Sequence, residues 1–227
     1  MHALGSRVLG IDGCRGGWLA ASVTDNGVAW EWTTDVDRLL HGDDDAVAID
    51  VPIGLPEDGR RECDRAARAL LRSRGVSVFA SPVRAVLGCA TYADARRVLA
   101  ARGGASMSAQ AFGIVAAVRQ VDACLRPDDE ARVVEAHPEV AFCLMGGGPD
   151  LPGKRTTAGV AVRLELLSAW RPDVLAALRQ VPDRARLDDA LDALACAWVA
   201  QRWVRGAHTI LGDGARDTRG LPMRIVA

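Results

Sequence analysis

The chain has 227 residues, 49% of them apolar and 25% charged, with a formal net charge of −1. That is apolar material enough for one sizeable core, and it predicts a single domain over residues 1–227, with or without a helical insert. The charge excludes a broadly basic nucleic-acid coat, so any such binding needs a local patch.

No apolar run approaches a membrane span, and no charged-then-apolar leader precedes Val8, so the expected location is cytoplasmic with no membrane partner. Six cysteines lie scattered without a C-x-x-C pair, beside only four histidines, which argues against a zinc site or a disulfide framework. Of 28 basic residues only Lys154 is a lysine.

Val8–Asp12 reads as a first strand, and Gly13–Gly17 as a turn into a second strand over Trp18–Thr24. Asp25-Asn26-Gly27 signals a hairpin, because Asn-Gly accepts the positive φ of a type I′ turn, and Val28–Thr33 returns as a third strand. Asp35–Leu40 is a short helix. Ala46–Val51 is the fourth strand, which the helix allows to lie parallel to the first; Pro52 and Pro56 then turn the chain out. From Arg60 to about Leu125 the apolar spacing is helical, interrupted by an extended piece at Ser77–Pro82, and predicts a helical insert. Arg132–Ala136 is the fifth strand. A glycine loop carries on to Lys154-Arg155-Thr156-Thr157 and a helix with Val162, Leu164, Leu166 and Leu167 on its apolar side. The last long helix is the alanine-rich stretch Asp188–Val204, and Leu221–Val226 suggests a short terminal strand.

Three of these strands end in an acid: Asp12, Asp50 and Glu135. Asp189 and Asp192 stand three apart at the start of the last helix, on nearly one face. Helix capping accounts for Asp188 and Asp189 but explains Asp192 less well, since it lies among Leu191, Ala193, Leu194 and Ala195. Several carboxylates within a few ångströms cannot all ionise unless a cation neutralises them, and oxygen-only ligands suit Mg²⁺ or Mn²⁺. Two such ions can clamp a phosphodiester.

The order of elements resembles the ribonuclease H-like fold. The stretches Gly10–Trp18, Ile49–Pro56, Cys63–Arg68, Val78-Phe79 with Pro82-Val83-Arg84, Glu135–Glu139 and Asp189–Ala193 are together similar to domain of unknown function family 429, described as predicted nucleases of the ribonuclease H-like superfamily. Asp189-x-x-Asp192-Ala-Leu-Ala is also similar to Holliday-junction resolvases. The resemblance implies that Asp12, Asp50, Asp189 and Asp192 hold the metal, while the resolvase pattern needs no acid at Glu135.

The expected structure is therefore one α/β domain with a five-stranded mixed sheet, order 3-2-1-4-5, and a helical insert over roughly 60–125. The expected activity is Mg²⁺- or Mn²⁺-dependent hydrolysis of phosphodiesters in nucleic acid, with catalytic Asp12, Asp50, Asp189 and Asp192 and a supporting Glu135. Arg84, Lys154 and Arg155 are candidate phosphate contacts; Arg15 could reach a phosphate or stay a surface arginine, and His137 could shuttle protons or be structural. Gly10, Gly13 and Gly16 superficially resemble a dinucleotide fingerprint, but a strand follows where a helix is required. The near-neutral charge and the lack of interleaved aromatics keep open a phosphotransferase or nucleotide-processing enzyme on a small phosphorylated substrate, and a silent binding module is the third reading.

Overall fold

The computed structural model describes residues 6–103 and 106–227. Strands β1 (Val8–Cys14), β2 (Gly17–Thr24) and β3 (Gly27–Thr33) form an antiparallel meander. The Asn-Gly signal locates the hairpin, but the turn lies one residue earlier than expected. Asp25 and Asn26 form its corners, and Gly27, at φ 140°, pairs with Thr24 as the first residue of the returning strand. Helix α1 (Val36–Leu40) follows, its first turn capped by Asp35, whose carboxylate accepts from the Arg38 amide at 3.2 Å.

Strand β4 (Ala46–Ile49) runs parallel to β1, and β5 (Val133–Glu135) parallel to β4, so the sheet order is β3-β2-β1-β4-β5, as the sequence led us to expect. Between β4 and β5 the chain forms helices α2 (Glu62–Leu71), α3 (Tyr92–Ala101), α4 (Ala109–Gly113) and α5 (Val115–Cys124). Helices α6 (Pro138–Met145), α7 (Thr157–Trp170), α8 (Val174–Leu178) and α9 (Leu187–Val204) come after β5. The chain closes with a ribbon of β6 (Ile210–Leu211) and β7 (Ile225–Val226), and Val226 also bridges to Ala136 beside β5. Among the described residues no helix is long and apolar enough to cross a membrane.

Successive strand residues point to opposite faces, and that alternation sorts the core. Val8, Ala46, Ala48 and Val134 pack under α9 with Phe142 and Leu167. Leu9, Ile11, Val47, Ile49 and Val133 face the other way, against Leu39 and Leu40 of α1 and Val118 and Val121 of α5. β1 is thus covered on both faces and bonded along both edges, which is why its text is apolar throughout rather than alternating.

Helix α9 lies directly on β1 because both present almost no side chain at the contact. A methyl group at Gly10 would meet the Ala193 carbonyl oxygen and the Ala197 amide nitrogen at 2.1 Å. The crossing is backbone against backbone, and it sets the height of α9 above the sheet.

Candidate metal centre

β1 and β4 run in register, Ile11 level with Ile49, so the next residues, Asp12 and Asp50, stand side by side at the carboxyl edge of the parallel pair. The Asp50 amide donates to the Ile11 carbonyl at 3.0 Å and carries the ladder one step past the end of β4. Both side chains share the face of Val8, Ala46 and Ala48, the face that α9 covers. Asp192, one turn into α9, comes down onto them. One carboxylate oxygen from each of Asp12, Asp50 and Asp192 falls within 4.8 Å of the other two. Asp12 and Asp192 are buried, at 8% and 5% exposure.

Three acids so placed resist ionisation. Burial, then the charges of Asp192 and Asp50, push the Asp12 carboxyl well above its ordinary value. Burial lifts Asp50 and Asp192 to about 6, with Lys154 pulling each back. The Lys154 ammonium donates to Asp192 Oδ2 at 2.7 Å. Its burial works against its charge, but Asp192, Asp50 and Asp12 raise its pKa, so it stays a cation. A tight turn holds it there. The Thr156 amide and hydroxyl both donate to the Gly153 carbonyl at 2.8 Å, and Thr156 Oγ1 caps α7 by accepting from the Gly159 amide at 3.0 Å. Gly159 lets this turn rest on the helix, for a methyl group there would sit 1.9 Å from the Gly153 oxygen.

One lysine leaves three carboxylates under-neutralised. Hard oxygen donors, mutual repulsion and shelter from water together form a group that could hold a metal ion.

Asp189, the fourth expected ligand, does not join the three. Its carboxylate accepts from the Arg186 amide at 2.8 Å and caps α9, although its charge is still felt at Asp12. Glu135 does not join them either, although it lines the neighbouring cavity. In the β4–β5 register it is level with Ile49, not with Asp50, and one residue along a strand means the opposite face. There Arg61 grips it with both ends of its fork, at 2.6 and 2.7 Å, and the Ile53 amide donates to it at 2.7 Å. Burial lifts the Glu135 carboxyl to about 7 while Arg61 draws it back. Burial opposes the charge of Arg61 as well, yet Glu135 and Asp64 raise its pKa and keep it charged.

A cavity of about 470 Å³ opens beside the three acids, walled by Asp50 and Asp192, by Lys154 and Arg155, and by His137. Burial holds His137 below its usual value, and its Nδ1 has no hydrogen-bond partner among the described residues. Arg155 is exposed at the rim. Arg15 is exposed in the β1–β2 turn, at the Asp12 end of the sheet. Arg84 points elsewhere: it bonds both oxygens of Asp122 at 3.0 and 3.1 Å and also pairs with Asp217. The residues that sequence reasoning missed are the buried ion pairs around the cavity. Besides Arg61 with Asp64, Glu139 is bound by Arg74 at 2.9 Å and by Arg163 at 2.7 Å.

No curated protein and no solved structure matches the chain. Residues 10–216 match the family described as Protein of unknown function (DUF429), and the chain belongs to that family.

Proposed function

We propose that the protein is a divalent-metal-dependent phosphodiester hydrolase acting on nucleic acid, a nuclease of the ribonuclease H-like kind. The observation that carries this reading is the meeting of Asp12, Asp50 and Asp192 within 4.8 Å at the edge of the parallel strands, beside a cavity whose wall includes Lys154 and the exposed Arg155. The sheet order agrees with the resemblance, and so does the arrival of an acid on the last long helix.

Asp12, Asp50 and Asp192 would hold Mg²⁺ or Mn²⁺, with Asp189 beside them. The bound ion supplies Lewis-acid charge to a phosphoryl oxygen and acidifies water. Lys154 and Arg155 bind the non-bridging oxygens of the scissile phosphate. His137 lines the same cavity, with burial disfavouring its charged form. No side chain has to form a covalent intermediate.

A second reading, a nucleotide-processing or phosphotransfer enzyme, draws on the size of the cavity, which suits one nucleotide. Calorimetric titration of Mn²⁺ into the wild type and Asp12→Asn tests the centre, with binding expected in the first and at least tenfold weaker in the second. Branched DNA, RNA–DNA hybrid, single strands and mononucleotides incubated with Mn²⁺ test the substrate. Turnover of mononucleotides alone would replace the nuclease reading with the second one, and equal Mn²⁺ binding by both proteins would end both.

A further inference from the structure

Phe79 lines the cavity beside the acids and also a second cavity of about 420 Å³. Phe79 is 42% exposed. The backbone around it is nonetheless tied down on both sides. Arg68 donates to the Val78 carbonyl at 2.9 Å and 2.6 Å, and the Ser81 amide donates to the carboxylate of Asp64 at 3.0 Å. Asp64 is in turn fixed by Arg61, and Arg61 by Glu135. A buried ionic chain thus anchors a short segment whose exposed Phe79 side chain lines two cavities.

The second cavity is basic. Arg60, Arg68 and Arg102 line it against the single acid Asp58. Arg60 is exposed and has no ion pair or side-chain hydrogen bond among the described residues, and Arg102 comes no nearer than 3.7 Å to Asp58. Each cavity has the volume of about one nucleotide.

Building on the hydrolase reading, we infer that the substrate is an unpaired polynucleotide strand, laid from the three acids across Phe79 into the arginine-lined cavity. Phe79 stacks on one base, and Arg60 and Arg102 meet the next phosphates. A base inside a duplex has both its faces covered by neighbours and cannot stack on a side chain, so the ring selects unpaired strands. The arrangement also gives Glu135 a task that needs no metal, since it anchors the display of Phe79 from the opposite face of the sheet.

The test is fluorescence anisotropy with the full chain in Ca²⁺, without Mg²⁺ or Mn²⁺. The probes are labelled 12-nucleotide oligothymidylate and oligouridylate, a 12-base-pair DNA duplex, and thymidine monophosphate as competitor. We expect the wild type to prefer a single strand to the duplex, the two homopolymers telling DNA from RNA. Phe79→Ala should weaken strand binding about tenfold, Phe79→Trp should keep it, and the monophosphate should compete with the strand for the first cavity of the wild type. Arg60→Ala with Arg102→Ala should make the salt dependence shallower. Melting curves check that the exposed substitutions leave the fold intact. Equal strand affinity in wild type and Phe79→Ala, or duplex binding as tight as strand binding, overturns the inference. Cleavage in Mn²⁺ that ignores Phe79 overturns it while sparing the hydrolase reading. Strand binding that depends on Phe79 without any cleavage supports it and removes the hydrolase reading.

Discussion

The ammonium of Lys154 and the carboxylate of Asp192 are 2.7 Å apart, so the only lysine among 28 basic residues is ion-paired inside the acidic cluster. An ammonium is a compact point charge on a flexible stem, where a guanidinium would need a flat, bidentate seat. At this position a cation of either kind offsets one of three crowded negative charges.

Removing that charge should therefore favour the metal. Lys154→Met is expected to bind Mn²⁺ about tenfold more tightly at pH 8 and low salt, the equivalent of about 1.4 kcal/mol, while any phosphodiesterase activity drops. Calorimetry beside a steady-state assay reads both. Weaker Mn²⁺ binding by Lys154→Met would make Lys154 a support of the site and not its internal counter-ion.

The acids also make a pH prediction. Asp50 and Asp192 titrate near 6 in the folded protein against 3.8 for a free aspartate, pushed up chiefly by burial. Between about pH 4 and 6 the folded chain then holds more protons than the unfolded one, so the stability it owes to these groups falls as pH rises through that window. Without divalent ions, the wild type should lose about 1–3 kcal/mol relative to Asp192→Asn between pH 4 and pH 7, and saturating Mg²⁺ should restore it. Urea denaturation at several pH values measures this. A difference between the two proteins that does not change with pH would show that the crowding of the acids is relieved without protons.

Arg61 is buried between Glu135 and Asp64 and also donates to the Ile53 carbonyl at 2.9 Å. Arg61→Ala strands two buried carboxylates and should cost about 3–5 kcal/mol. Arg61→Lys should recover only part, because a single ammonium cannot reproduce the fork on Glu135. A urea-midpoint shift equivalent to less than about 1 kcal/mol in Arg61→Ala would contradict this account.

Arg84 should behave as a strut. It ties α5, through Asp122, to Asp217 near the end of the chain. Arg84→Ala is expected to lower stability by about 1–3 kcal/mol and to leave strand affinity within about twofold of wild type. A large loss of oligonucleotide binding without loss of stability would return Arg84 to the role its sequence neighbours suggested.

Much of the site was legible because it is written in strand ends. An apolar run closed by an acid marks where the parallel pairing of β1 with β4 ends, just before Asp12 and Asp50, although β1 itself runs on beside β2 to Cys14 and the expected turn from Gly13 is correspondingly shorter. The same rule misleads at Glu135, where the acid falls one residue short of the level of Asp50, and only the register reveals the reversal of face. Asp189 and Asp192 look equivalent on the helix, yet one lies at the helix entrance and satisfies a backbone amide while the other lies a turn deeper. Arg163 left no local trace. It sits between Val162 and Leu164 in α7, and the partner that makes its burial tolerable, Glu139, comes from α6.

The contact at Gly10 means that the gap between the strand-borne acids and Asp192 is gauged by a residue with no chemistry of its own. A side chain there would lift α9 like a shim under a beam, and the trap for the ion would open without any ligand having been altered. A mutational scan scored for metal capture should therefore find one of its most sensitive positions two residues upstream of Asp12, at an atom that never touches the cation.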